Sequence, residues 1–168
     1  MDLRVGDIIF GAAREQTYKI ISPCGQGSFG VVFKIQDAES NQFALKTIAT
    51  GLLDEATLAA LQNEGNLSTQ IMHPNALRVF YFHDGKTHEG LPPYMIMEFA
   101  DGGTLLDLIS SRQGTQKQFT NEELSAMFKQ LASGMKAINE KLVHRDIKPD
   151  NILISGDILK YQILDLQK

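Results

Sequence analysis

His144-Arg145-Asp146-Ile147-Lys148-Pro149-Asp150-Asn151 lies between two strong local signals in this chain of 168 residues. Upstream is the clearest helix pattern. Thr120 and Glu123 form a capping box, each able to satisfy an orphan backbone donor of a first helical turn. Leu124, Met127, Phe128, Leu131, Met135, Ile138 and Leu142 then recur at three- and four-residue steps, one apolar stripe expected to face a core. Downstream, Ile152-Leu153-Ile154 predicts a strand. The polar octet is therefore a loop held between a helix and a strand.

Farther out, Gly102-Gly103 marks a turn and a border between a sheet-rich part and a helical one. In the first half, Tyr18 to Ile21, Val31 to Ile35 and Phe43 to Ile48 are short β-branched or aromatic runs separated by turn formers. About Asp54 to Ile71 the spacing becomes helical, with Leu58, Leu61 and Leu67 apolar, until His73-Pro74-Asn75 breaks it. Two more strands are expected, about Leu77 to Phe82 and Tyr94 to Phe99, joined by a polar loop from Asp84 to Pro93. Strands, helix, strands, then helices make an α+β chain.

Composition narrows the function classes. The chain is 43% hydrophobic and 21% charged with a formal net charge of −4, which gives no general support for a nucleic-acid or anionic-membrane partner. No apolar stretch reaches the ~18 residues of a membrane span, and the run Ile8-Ile9-Phe10 is too short for a signal peptide. The single cysteine, Cys24, excludes an internal disulfide and suits a reducing, intracellular (cytoplasmic) setting. His73, His83 and His88 are not spaced as zinc ligands on one element.

Gly25-Gln26-Gly27-Ser28-Phe29-Gly30-Val31-Val32 repeats glycine at positions where a backbone can bend tightly and approach phosphate oxygens. A dinucleotide fold would need a helix directly afterwards; here Val31 to Ile35 continues as a strand. Lys46 closes the next strand, either as a snorkelling surface residue or as a point charge for phosphate. Glu64 falls 18 residues later on the expected helix, where a glutamate is ordinarily solvated. Cys24 reads as a small strand residue or as a reactive thiol beside the glycine run.

The octet fixes the frame. It matches H-R-D-L-x-x-x-N with only Ile for Leu, and with the glycine run, Lys46 and Glu64 in order before it the chain resembles the eukaryotic-type Ser/Thr protein kinases. The resemblance covers roughly Thr17 to Lys160. It implies a kinase-like fold: an antiparallel N-lobe sheet with one helix, and an incomplete helical C-lobe. Residues 1–16 would be an N-terminal extension, 17–101 the N-lobe and hinge, and 102–168 a partial C-lobe. It also implies roles. The loop Gly25, Gln26, Gly27, Ser28, Phe29 and Gly30 would cover the phosphates of ATP, with Lys46 on the α- and β-phosphates and Glu64 pairing with it. Met97 would guard the back of the adenine pocket, Glu98 and Ala100 would offer backbone groups to adenine, and Val32, Ala44 and Leu153 would sandwich the ring. Asp146 would deprotonate a substrate hydroxyl, Lys148, typical of the Ser/Thr class, would steady the transferring phosphate, and Asn151 would bind Mg²⁺. His144 and Arg145 would shape the loop.

The family pattern also calls for Asp-Phe-Gly after the next strand, and here Asp165 is followed by Leu166-Gln167. Asp165 would stand in as the second metal ligand. One permitted codon choice for Lys160 to Lys168, read from its third base, gives Ile-Ser-Asp-Phe-Gly-Phe-Ala-Lys, so the expectation is a truncated or frameshifted, inactive form of a Ser/Thr kinase. The other reading is a non-catalytic, pseudokinase-like module that binds nucleotide. ATP, Mg²⁺ and a protein substrate are the implied partners. Ser68, one turn past Glu64, stands where the family usually has an apolar residue.

Overall fold

Short β-branched and aromatic runs favour a pleated, half-buried surface, and turn residues between them set the reversals. The computed structural model describes residues 3–27, 30–48, 55–142 and 147–163. They divide into two units, Met1–Thr69 with Val79–Phe99, and Gln70–Arg78 with Ala100–Lys168. The break expected at His73-Pro74-Asn75 is thus also a passage of the chain into the second unit and back.

The first unit contains β1 (Ile8–Phe10), β2 (Thr17–Gly27), β3 (Gly30–Gln36), β4 (Gln42–Thr47), α1 (Glu55–Ser68), β5 (Val79–His83) and β6 (Tyr94–Glu98). The strands form one antiparallel sheet in the order β1-β2-β3-β4-β6-β5. Cross-strand partners project to the same side and alternate residues to opposite sides. Ile20 pairs with Ile35, Phe33 with Leu45, and Leu45 with Ile96, so these side chains share one face. Leu3, Ile9 and Tyr94 join them in one buried core. The run Ile8–Phe10 is therefore an edge strand, paired to β2 through Phe10 and Thr17. Three residues are too few to show a period, and only the partner strand makes them one.

The second unit contains α2 (Leu105–Gly114), α3 (Asn121–Asn139), β7 (Ile152–Ser155) and β8 (Ile158–Tyr161). The capping box at α3 forms as expected: Thr120 Oγ1 accepts from Glu123 N at 3.1 Å and Glu123 Oε2 accepts from Thr120 N at 2.9 Å. A second box, Thr104 with Asp107, starts α2, a helix the sequence reading passed over. The hairpin β7–β8 packs against α3, and Ile71, Ala76, Leu105, Ile138, Ile152, Leu159 and Tyr161 form the core. Asn75 is the peg of this unit. Its Nδ2 donates to Gln130 Oε1 at 2.9 Å and to Leu159 O at 3.0 Å, while its carbonyl accepts from Tyr161 N at 3.0 Å. Gly134 admits this peg, since a Cβ there would stand 2.7 Å from Asn75 O.

One expectation fails in part. Ile138 is wholly buried, yet Leu124 is 37% and Phe128 68% exposed. The apolar stripe of α3 is broader than the surface that covers it. No helix among the described residues is long and apolar enough to cross a membrane.

Candidate active site

The register of the first unit collects the nucleotide candidates on one face. Val32 pairs with Lys46, and Lys46 with Met95. Ala44, two residues before Lys46, pairs with Met97. Val32, Ala44, Lys46 and Met97 thus project from the same side, opposite the face of Leu45 and Ile96. Lys46 is half-buried and Ala44 and Met97 are buried. Glu98 ends β6 and is half-buried, as is Ala100, which opens the second stretch of the other unit.

Helix α1 lies on that same face. It packs on β5, where Phe82 pairs with Met95, the neighbour of Lys46. The approach is close because Gly65 has no side chain: a Cβ would come within 2.5 Å of the Phe82 ring. Leu61, Gly65 and Ser68 are buried at helical spacing, and Glu64, half-buried, flanks them. Ser68 is wholly buried and donates its hydroxyl to Gly65 O at 2.6 Å, which satisfies the polar group at a position where an apolar side chain was the expectation.

The glycine run is a hairpin. Gly25 pairs with Val32, Gln26 with Val31 and Gly27 with Gly30. Ser28 and Phe29 lie outside the described residues. A Cβ on Gly30 would overlap the carbonyl of Thr47, so glycine is required there by the neighbour at the end of β4. Thr47 also ties the hairpin down: its Oγ1 accepts from Val31 N at 2.9 Å and donates to Val31 O at 3.0 Å. Sequence reasoning missed this threonine, whose only signal is a hydroxyl directly after Lys46. Cys24 is exposed on β2, and burial by its surroundings outweighs Lys34 to hold the thiol above its ordinary pKa, which disfavours the reactive thiolate.

In the second unit, Pro149–Asn151 form a single 3₁₀ turn leading into β7. Lys148 precedes it, half-buried, with Nζ 3.9 Å from Asp150 Oδ2. Asn151 is buried; its backbone N donates to Lys148 O at 3.0 Å and its carbonyl accepts from Gln162 N at 2.9 Å. A buried amide oxygen is a hard ligand of the type Mg²⁺ takes. Leu153 is half-buried on β7, opposite Lys160. Asp146, His144, Arg145 and Asp165 lie outside the described residues. A cavity of about 860 Å³ in the same unit, lined among others by Leu108, Phe119, Met127, Ile154 and Leu159, takes in none of the candidate residues.

Chemically, the first unit offers a hairpin whose backbone can approach an anion, a lysine ammonium and an apolar patch on one face. The second offers a lysine and a buried asparagine three positions apart in one loop. Comparison with known proteins agrees with this inventory. The family model for the protein kinase domain matches residues 18–166. A probable serine/threonine-protein kinase MRK1 homolog from Encephalitozoon cuniculi is 35% identical over 158 residues, covering 93% of this chain and 46% of the relative. Aurora kinase A-A from Xenopus laevis is 33% identical, covering 84% of this chain and 34% of its own length. The probable serine/threonine-protein kinase nek1 from Dictyostelium discoideum is 32% identical, with 83% and 28% covered. The chain thus spans less than half the length of these relatives. With the α+β architecture, the glycine hairpin and the octet in the order the family requires, this chain belongs to the protein kinase domain family.

Proposed function

We propose that these residues belong to a Ser/Thr protein kinase and that the chain binds ATP with Mg²⁺. The observation that supports this most is the single sheet face carrying Val32, Ala44, Lys46 and Met97, with the glycine hairpin at one end and α1 packed on the same side. In this reading residues 17–101 are the nucleotide-binding lobe and hinge, and 102–168 carry the catalytic loop. Gly25, Gly27 and Gly30 present backbone to the phosphates, and Lys46 holds the α- and β-phosphates, oriented by Glu64. Val32, Ala44 and Leu153 contact the adenine ring, Met97 closes the back of its pocket, and Glu98 and Ala100 bond its edge.

Asp146 takes the proton of a Ser or Thr hydroxyl as its oxygen bonds to the γ-phosphorus. The bond to the bridging oxygen breaks, ADP leaves, and Lys148 balances charge on the transferring group. Asn151 and Asp165 would hold the Mg²⁺, which neutralises phosphate charge when bound. Positioning and charge neutralisation are the main contributions a protein makes to this transfer.

Calorimetric titration of Mg-ATP into the folded chain tests the reading. Binding is expected, and Lys46→Ala should weaken it by about tenfold or more, the loss of one charge-assisted bond. A folded wild-type chain that releases no heat, or equal binding by the variant, overturns the assignment. In a phosphoryl-transfer assay Asp146→Asn should abolish whatever transfer to a Ser/Thr peptide the wild type gives.

A further inference from the structure

His83 ends β5 wholly buried, and His88, in the loop to β6, is also buried. Their rings stack with centroids 5.1 Å apart, and Tyr94 stacks on His83 at 4.6 Å. The two shortest contacts, at 3.0 and 3.1 Å, favour one tautomer of His83 over the one that the longer Gly85 N–H contact would take. The His88 backbone N–H donates to Nε2 at 3.0 Å, so that nitrogen carries the lone pair; Nδ1 faces Pro92 O at 3.1 Å and carries the proton. The Gly85 backbone N also approaches Nδ1, at 3.3 Å. Backbone N–H groups therefore stand at both ring nitrogens, and a second proton, on Nε2, would be directed at the His88 N–H.

The same rings fasten the N-terminal segment. His88 Nε2 is 3.3 Å from Gly11 O and 3.5 Å from Tyr81 Oη, and the Phe10 ring lies 5.1 Å from the His88 ring. Tyr94 Oη donates to Phe10 O at 2.7 Å and accepts from Phe10 N at 3.3 Å. Strands β1 and β5 are the two outer edges of the sheet, so these contacts join edge to edge.

We propose that this stack is an acid-released clasp: uptake of one proton by His83 frees the β5–β6 loop from β1 and loosens Leu3 to Gly11 while the remaining strands stay paired. The surroundings offer the imidazolium little. From β5 comes the Tyr81 phenol, from β6 the Tyr94 phenol, from the loop His88 and Asp84, and from the N-terminal segment only the uncharged Phe10 and Gly11. The Asp84 carboxylate already accepts from Lys86 N, Thr87 N and Thr87 Oγ1. Burial, seconded by His88, holds the His83 pKa below its ordinary value against the opposing pull of Pro92 O and Asp84. Burial also pushes the Tyr94 phenol far up, so it remains a donor to Phe10. The sign follows. The unfolded chain binds this proton near pH ~6.5 and the folded one only lower, so the clasp contributes fully above that pH and is lost as pH falls toward the folded value.

Amide hydrogen exchange on the 168-residue chain, corrected for intrinsic rates, at about pH 7.5 and about pH 5.5 tests this, a window that brackets an ordinary histidine. The amides of Gly6 to Gly11 should lose about tenfold in protection at the lower pH, and those of β3 and β4 less than about twofold. His83→Gln, which keeps a donor and an acceptor but does not titrate, should abolish the difference. Should that variant not fold, the NMR titration of the wild-type His83 ring should share its midpoint with the loss of protection. Equal protection at both pH values, an equal loss in every strand, a response that persists in His83→Gln, or a ring that titrates without the segment following overturns the clasp.

Discussion

The two units reach stability by different routes. In the first, register does the work: alternate residues of five strands deliver Ile9, Ile20, Ile35, Leu45, Tyr94 and Ile96 to one face, each at most 1% exposed. In the second, a helix carries more apolar surface than its neighbours cover, and a buried asparagine pins the segment before β5 to the helix and hairpin. The difference teaches that burial in a sheet is set by pairing, whereas a helix face is only as buried as the element placed against it.

Substitutions separate the two routes. Leu45→Ala, at the centre of the sheet, should cost about 3 kcal/mol, a large-to-small change with a cavity left behind. Urea unfolding followed by circular dichroism reads it; a loss below about 1 kcal/mol would mean that the sheet core repacks freely. Asn75→Ala should cost about 2 kcal/mol, because the Leu159 carbonyl and Gln130 amide lose their donor. That loss should appear as faster hydrogen exchange at β7, β8 and α3 and not at β3 or β4. Equal effects in both units would erase the distinction.

Thr120→Ala should cost about 1 kcal/mol, the usual worth of an N-cap hydroxyl, seen as fraying of the first turn of α3. The partner carboxylate adds a pH signature. Hydrogen bonding from the Thr120 backbone, then from Arg112, holds the Glu123 pKa below its ordinary value. The cap is therefore complete above the ordinary glutamate pKa and weakens as pH falls through the lowered one. Protection of the Thr120 amide, which donates to this carboxylate, measured against pH should show this. Smallest of all, Phe128→Ser should change stability by less than about 0.5 kcal/mol, since the ring is mostly exposed. A loss above about 2 kcal/mol would show that this face is covered in solution.

Much of this was legible in the sequence because it is local. The capping box of α3 needs only Thr120 and Glu123, and the strands around Val31, Phe43 and Tyr94 announce themselves by β-branched and aromatic runs. Helix α2 was missed because Gly102-Gly103 suggested a turn and its box ends in Asp107, not the more familiar Glu or Gln. Strand β1 was missed because its evidence lies in a partner nine residues away. For the candidate site, the order of Gly25, Lys46, Glu64 and the octet could be read directly. That Val32, Ala44, Lys46 and Met97 share a face could not, since it depends on register, which a one-residue slip would reverse. The close seat of α1 was likewise invisible, because a glycine within a helix shows nothing in sequence of the ring packed on it.

That glycine sets a tolerance. With hydrogen in place of a methyl, α1 rests directly on the Phe82 ring, and the height of Glu64 above the sheet is fixed by that one clearance. Gly65→Ala would act as a shim: the helix would gain intrinsic propensity and yet be lifted off its seat, tilting the acidic side chain away from the plane that carries Lys46.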